Sequence, residues 1–194
     1  MLAEVIIKLL LASFSMCLAL IHQSFAECVD GAKIETYNWA YSSETTIAKP
    51  PHAIWPYLLD LESWMTDYNF SRRSGDYRAE GEMGIFSFRD HSEGPEPHYF
   101  LYQLIEVDPN NQLVIKYFSD QGGAFGQKSF IAFETIKLLD NKGSTRLIFE
   151  SFTESKNCTH PKDWASFFPN YIAAEKATIR RFWSHLNAMV MTDK

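Results

Sequence analysis

One carboxylate is the most informative of the residues in this chain that could do chemistry. Glu175 lies in the middle of an apolar stripe at helical spacing, whose other members are Phe168, Ile172, Ile179, Phe182, Leu186 and Met189. A carboxylate in an apolar stripe must be solvated, paired or protonated. It can then orient a ligand hydroxyl or act as a general acid or base. The structural alternative is a salt bridge to an inward arginine such as Arg89, or exposure at a cavity edge.

Other catalytic signatures are absent from the sequence. There is no Gly-x-Ser-x-Gly elbow, no phosphate-binding Gly-Lys-Ser/Thr loop and no pair of His or Cys residues at zinc spacing. We therefore expect no cofactor and no metal ion. The chain has 18 Lys and Arg against 24 Asp and Glu, which gives a formal net charge of −6. This charge disfavours nucleic acid and anionic membrane surfaces as partners.

Aromatic residues are the second candidate feature. The chain contains 15 Phe, 9 Tyr and 5 Trp, more than a small core usually needs, and they leave both faces of some strands partly apolar. A concave sheet can use these side chains to line a pocket for an apolar ligand. The alternative is dense ordinary packing, because aromatic residues are favourable in any antiparallel sheet.

The elements that must position these side chains can be predicted from local patterns. Residues 35–47 favour a strand, and Pro50 and Pro51 then open a short amphipathic helix, followed by a second short turn over residues 62–66. Aromatic and β-branched runs separated by turn residues predict an antiparallel meander. Its strands are 70–78, 82–90, 98–107, 112–119, 128–139 and 144–154. After Pro161 the pattern returns to a helix.

The stretch that joins the first strand to the first helix carries a family resemblance. Ala48-Lys49-Pro50-Pro51 followed by Trp55, Leu58 and Asp60 resembles the START-like, or Bet v 1-like, superfamily (SRPBCC, the polyketide cyclase/lipid transport group). Further positions that look like those of the family are Gly81 to Gly84, the Val107-Asp108-Pro109 turn and the run from Lys142 to Leu147. The resemblance implies an α+β helix-grip fold. A curved seven-stranded antiparallel sheet, with two short helices after strand 1, would grip a long C-terminal helix and leave a cavity between them.

Strand alternation then predicts which side chains face that cavity. Outward charged residues, chiefly Glu106, Lys116 and Arg146, set the parity of three strands. The predicted inward residues are Leu101, Gln103, Ile105, Leu113, Ile115, Tyr117, Leu147 and Phe149 on strands, with Ile172, Glu175 and Ile179 on the helix. The resemblance places Trp64 and Tyr68 at the mouth of the cavity. In the strands that begin near Glu82 and Lys128 the residue pattern gives conflicting parity, so few side chains of these two strands are assigned to a face.

The first 26 residues are interpreted as a secretory signal peptide. Lys8 precedes an apolar run over residues 9–21, and Ser24-Phe25-Ala26 fits a cleavage site. An uncleaved membrane anchor is the alternative. Cleavage near Ala26 would leave residues 27–194 as one START-like domain without an integral membrane span. We therefore expect an exported protein, periplasmic or secreted.

Two cysteines remain in the predicted mature chain, Cys28 and Cys158, because Cys17 lies in the signal peptide. An even pair in an oxidising compartment suggests a disulfide, and two unrelated thiols are the alternative. The resemblance favours the disulfide, since the family pairs its first strand with its seventh. The start of one strand then lies beside the end of the other.

The resemblance implies that the protein binds a hydrophobic small molecule, lipid-like or polyketide-like, without chemistry. The alternative is an enzyme of the cyclase or dehydratase type, in which the cavity folds the substrate and Glu175 or a tyrosine moves protons. The sequence leaves the identity of the ligand and the oligomeric state open.

Overall fold

The chain forms the predicted succession of a strand, two short helices, six strands and a long helix. A computed structural model describes residues 35–88, 99–119, 127–157 and 161–192. The elements are β1 (Glu35–Ile47), α1 (Pro51–Leu58), α2 (Leu61–Trp64), β2 (Tyr68–Ser74), β3 (Met83–Phe88), β4 (Tyr99–Asp108), β5 (Gln112–Ser119), β6 (Gln127–Asn141), β7 (Ser144–Asn157) and α3 (Pro161–Thr192).

The strands form one curved antiparallel sheet with α3 on its inner face. The strand order is β1-β7-β6-β5-β4-β3-β2, and β1 pairs with β7 along its whole length, as the resemblance implied. The ring of Phe149 on β7 lies 6.1 Å from that of Trp183 on α3. At the other side of the sheet, Tyr68 of β2 lies 5.6 Å from Phe182. The predicted helix-grip fold is therefore confirmed.

Proline chemistry sets the passage from β1 into α1. Pro50 has an extended backbone, and Pro51 opens the helix where its missing N–H leaves no bond unmade. The hydroxyl of Thr145 donates to the carbonyl of Lys49 at 2.7 Å, which ties this corner to the start of β7. The helix can then bury Ile54, Trp55 and Leu58 against the sheet.

The end of the sheet nearest α1 and α2 is fully packed. Side chains without measurable exposure lie there, among them Ile47, Ile54, Leu58, Leu113, Ile136, Leu147 and Leu186. Trp64 is 1% exposed and stacks on Trp183 with centroids 5.8 Å apart. Its indole N–H donates to the carbonyl of Leu58 at 3.0 Å. Trp64 therefore fills the core, and its predicted place at the mouth of a cavity was wrong.

Strand β4 departs from regular alternation. Its pairing with β5 shifts between Leu104 and Glu106, so that Ile105 is the extra residue of a β-bulge. The prediction counted back from Glu106 with a strict two-residue period, and the bulge reverses that parity. The inward side chains of β4 are Phe100, Tyr102 and Leu104. The inward orientation predicted for Leu101, Gln103 and Ile105 was therefore wrong, because they lie on the opposite face.

Several predictions about the N-terminal region and the cysteines fall outside the described residues. These are the signal peptide over residues 1–26, the cleavage site at Ala26 and the disulfide between Cys28 and Cys158. In the part of the chain that the structure describes, no helix is long and apolar enough to cross a membrane.

Candidate functional site

The inner face of the sheet changes from packed to accessible along α3. The inward residues Ile179, Phe182, Leu186 and Val190 are buried, whereas Ile172 and Glu175 keep intermediate exposure. The inward residues of the sheet that remain partly accessible are Tyr37, Tyr68, Phe70, Phe130 and Glu134. Because part of each of these residues remains accessible although its side chain faces inward, the candidate site lies between this part of the sheet and the helix around Glu175.

Aromatic rings form a continuous wall from β2 to β6 on the inner face. Phe86 lies at its centre, with its ring centroid 5.2 Å from that of Tyr68, 5.1 Å from Phe100 and 5.1 Å from Tyr117. Phe100 in turn meets Phe130 edge to face at 5.4 Å. The strand register produces this wall, since Phe86 and Phe100 are cross-strand partners. Such ring pairs add about 0.5–1.5 kcal/mol each beyond area burial, so the wall is both apolar and well anchored.

Two carboxylates stand in this apolar surrounding, one from the sheet and one from the helix. Glu134 of β6 is hydrogen bonded to the hydroxyl of Tyr117. Glu175 of α3 accepts a hydrogen bond from the hydroxyl of Tyr41, with 3.2 Å between the oxygens. The two carboxylates are close enough to interact electrostatically. The site therefore contains two adjacent tyrosine–glutamate pairs.

The environment of Glu134 favours its neutral form. Burial raises the pKa of Glu134 to about 8; the hydrogen bond from Tyr117 opposes this rise, and the negative charge of Glu175 adds to it. Burial, together with Glu134, also raises the pKa of Tyr117 well above its usual value. Met65 Sδ lies 4.0 Å from the Tyr117 hydroxyl, but it is a weaker acceptor than a carboxylate. Near neutral pH, Glu134 is therefore mostly protonated and Tyr117 is neutral.

The predicted cavity residues are brought together only in part. The inward orientation predicted for strands β5 and β7 is confirmed for Leu113, Ile115, Tyr117, Leu147 and Phe149. Leu147 and Phe149 are fully buried, so they belong to the packed core beneath the accessible region. Residues that lie at or beside the accessible region are Tyr68, Ile172, Glu175 and Ile179. Arg89, the suggested partner of Glu175, lies outside the described residues.

Sequence reasoning missed Glu134 and Tyr41. On β6 the apolar residues 130–133 occupy both faces, so alternation alone does not identify the inner one. A signal was nevertheless present on the neighbouring strand. Glu134 is the cross-strand partner of Ile115, which the parity of Lys116 correctly placed inward. Within the described ranges, no group of three or more His, Cys, Asp or Glu side chains is placed to hold a metal ion.

Comparison with known proteins identifies the fold. No family model matches the chain, and no curated protein matches it significantly. Among solved structures, Ara h 8.0201 matches with a TM-score of 0.57 and 10% identity, over 81% of this chain and 100% of that one. Norcoclaurine synthase from Thalictrum flavum, in complex with dopamine and hydroxybenzaldehyde, matches with a TM-score of 0.54 and 17% identity, over 82% and 90% of the two chains. A Staphylococcus aureus protein of unknown function reaches 0.61 at 9% identity, over 81% and 96%.

These matches cover 90% or more of each solved chain. The chain therefore has the START-like, Bet v 1-like helix-grip fold. The sequence identities are too low for the likeness to carry function.

Proposed function

We propose that the protein binds an apolar small molecule between the inner face of the sheet and α3. The observation that carries this proposal is the partly accessible inner face around Tyr68, Phe70 and Phe130, which adjoins the aromatic wall and the two tyrosine–glutamate pairs. Aromatic side chains supply contact area for an apolar body, and a few fixed polar groups orient it, as in most small-molecule sites. The matching norcoclaurine synthase structure holds dopamine and hydroxybenzaldehyde, which are aromatic molecules with polar groups. That precedent supports a ligand of similar kind here.

The protonation of Glu134 determines which polar group the ligand presents. A neutral Glu134 can donate a hydrogen bond to a carbonyl or hydroxyl, and an ionised one can accept from an amine. The negative charge of Glu175 acts against ionisation of Glu134. A cationic group near both carboxylates would offset that repulsion. We therefore favour an apolar ligand with an amine, whose binding below about pH 8 would release a proton from Glu134.

Two probes that differ only in their polar group test this proposal. We expect the purified protein to bind both 1-methylnaphthalene and 1-naphthylmethylamine. In Glu134→Gln the amine should bind about 10- to 100-fold more weakly at alkaline pH, because a charge-assisted hydrogen bond is lost. Binding of the hydrocarbon should change little. Titration calorimetry measures both affinities.

Glu150→Gln is the matched control, because Glu150 lies on the outer face of β7, where it pairs with Lys137 at 2.7 Å. It should leave both affinities unchanged. Failure of either naphthalene to bind would contradict a ligand site. Equal affinities of the amine for wild type and Glu134→Gln would retain an apolar site but remove Glu134 from it.

A second candidate function is acid–base catalysis of the cyclase or dehydratase type. The observation in its favour is a carboxyl group, Glu134, whose pKa is raised to about 8 beside a second carboxylate, Glu175. Glu134 would then act as the acid and Glu175 as the base. Turnover of a polyketide-like substrate that is lost in Glu175→Gln, with binding retained, would favour the enzyme. A stoichiometric ligand recovered unchanged from the native protein by native mass spectrometry would favour carriage.

We also propose that the protein acts after export, which the predicted signal peptide over residues 1–26 supports. Intact-mass measurement of the protein from its native host tests cleavage near Ala26. A mass that includes residues 1–26 would contradict this proposal. In the same sample, a gain of two hydrogens on reduction would report the disulfide between Cys28 and Cys158.

A further inference from the structure

The inward face of β7 changes from apolar to polar along the strand. Its first inward side chains include Leu147 and Phe149, which are apolar and fully buried. The next three inward residues are Ser151, Thr153 and Ser155, which are 5%, 4% and 0% exposed. These three residues are called the hydroxyl strip below. Inward positions of a sheet normally carry apolar side chains, because a buried hydroxyl costs free energy unless it is hydrogen bonded.

The hydroxyl strip forms the floor of a trough in the inner face of the sheet. On one side, the strand register places an aromatic side chain of β1 beside each strip residue, namely Tyr41, Trp39 and Tyr37. On the other side, the corresponding neighbours on β6 are Glu134, Ala132 and Phe130. Serine, threonine and alanine side chains are much shorter than their neighbours, so the floor is low between tall walls. From residue 151 to residue 155 the floor is about 13 Å long.

The trough is part of the candidate site. At its Ser151 end, Tyr41 stands on one side and donates its hydroxyl hydrogen bond to Glu175 of α3 at 3.2 Å. Glu134 stands on the other side of Ser151. Both carboxylates of the site therefore flank this end of the floor. At the opposite end, Tyr37 and Phe130 keep intermediate exposure, so the trough is accessible there.

Two hydroxyls of the strip have no partner within the protein. Ser155 donates to the carbonyl of Ser129 at 3.5 Å. Among the residues that the structure describes, neither Ser151 nor Thr153 takes part in a side-chain hydrogen bond. In the same part of the chain, the unpaired polar side-chain atoms that are sealed from solvent are Arg78 Nε and Trp183 Nε1. The hydroxyl oxygens of Ser151 and Thr153 are therefore unpaired but still accessible from the trough, as groups that bind a ligand must be.

We propose that the hydroxyl strip is the polar floor of the ligand site and that it selects a flat aromatic molecule with oxygen substituents along one edge, of the phenol or quinone type. This inference rests on the proposed function and narrows the class of ligand. The hydroxyls of Ser151 and Thr153 can each donate and accept, so they match a phenolic hydroxyl or a quinone carbonyl. They lie about 6.6 Å apart along β7, which suits oxygens on different rings of a fused-ring molecule.

The same floor disfavours the alkyl chain of a lipid. A hydrocarbon chain over the strip would cover Ser151 and Thr153 without offering either hydroxyl a hydrogen bond, and buried polar groups left unpaired weaken binding. The aromatic walls of the trough instead offer ring faces to a flat ligand. An amine on the same molecule would lie at the Ser151 end, between Glu134 and Glu175.

Two probes with the same ring system and nearly the same volume test the proposal, 1,5-dihydroxynaphthalene and 1,5-dimethylnaphthalene. The double variant Ser151→Ala, Thr153→Val removes both hydroxyls at little change in volume. We expect it to bind the dihydroxy probe about 5- to 50-fold more weakly, because hydrogen bonds are lost. It should bind the dimethyl probe equally well or more tightly, because no hydroxyl is left unpaired beneath the ligand. Titration of the protein's intrinsic fluorescence measures both affinities.

Thr135→Val is the matched control, because Thr135 lies on the outer face of β6 as the cross-strand partner of Glu150. It should leave both affinities unchanged. Thermal unfolding verifies that each variant is folded, and Thr153→Val alone should change the two affinities in the same directions as the double variant.

The results separate this inference from the proposed function. If wild type and the double variant bind each probe equally, the ligand site stands but the hydroxyl strip is not its floor. An equal loss of affinity for both probes would mean that the strip serves only packing, and would also overturn the inference. If neither probe binds the wild-type protein, the ligand site itself fails, and the role of the strip fails with it.

Discussion

Glu134→Gln should make the protein more stable than the wild type at alkaline pH, by about 3–5 kcal/mol in the free energy of unfolding. The ordinary pKa of the carboxyl is 4.5, and in the folded protein burial raises the pKa of Glu134 to about 8. Between these values the folded state holds a proton that the unfolded state has lost. The stabilisation of the folded state by the protonated carboxyl is therefore fully present below pH 4.5 and is lost as the pH rises through 8. Glutamine stays neutral throughout and still accepts from Tyr117.

Urea unfolding of both proteins across this pH range measures the effect. The difference should be small where Glu134 is protonated in both states, and should grow with pH until the folded-state carboxyl has ionised. Groups that do not interact with Glu134 titrate alike in the two proteins, so their contributions cancel, and the difference reports Glu134 together with its neighbours Glu175 and Tyr117. Glu150→Gln provides the matched control, because its carboxylate is exposed and paired with Lys137 on the outer face. Parallel curves for wild type and Glu134→Gln would mean that Glu134 has an ordinary pKa.

The raised pKa of Glu134 also determines how the affinity for the proposed ligand depends on pH. A cationic ligand beside Glu134 stabilises the ionised carboxylate, so the affinity for an amine should rise as the pH approaches the folded-state pKa of about 8. A neutral ligand that accepts a hydrogen bond from the protonated group should show the opposite trend. The sign of the pH dependence therefore distinguishes the two kinds of ligand.

Most of the fold could be predicted because its signals are local. Strand β5 was predicted with its observed bounds, since turn residues end the chain's extended runs on both sides. The prolines at the start of α1 and the helical stripe around Glu175 depend only on neighbouring residues. The pairing of β1 with β7 is not local, and it was available only through the family resemblance.

The errors on the sheet have a shared physical origin. Alternation assumes an apolar inner face and a polar outer face, whereas this sheet is apolar on both over part of its area. Leu101 was predicted to point inward, although it lies on the outer face. Ile131 and Phe133 are apolar residues exposed on the outer face, and they concealed the inward position of Glu134. The bulge at Ile105 depends on pairing with β5, for which the sequence of β4 alone contains no signal.

Phe149→Ala should lower the free energy of unfolding by about 3–5 kcal/mol, because it leaves a cavity in a rigid core. Phe149 is fully buried, with ring contacts at 5.8 Å to Tyr41 and 6.1 Å to Trp183. Phe152→Ala is the matched control on the same strand: Phe152 is 48% exposed, so its loss should change the free energy of unfolding by less than about 0.5 kcal/mol. Urea unfolding of wild type and both variants measures the two changes.

The position of Phe149 also links the core to the candidate site. Its contact with Tyr41 supports the hydroxyl that donates to Glu175, so Phe149→Ala should weaken amine binding even where the protein remains folded. Binding of the amine probe to folded Phe149→Ala, compared with Phe152→Ala, tests this link. Equal stability losses in the two variants would mean that β7 does not alternate as described. A large loss confined to Phe149→Ala, with amine affinity unchanged, would mean that Tyr41 is held by other contacts.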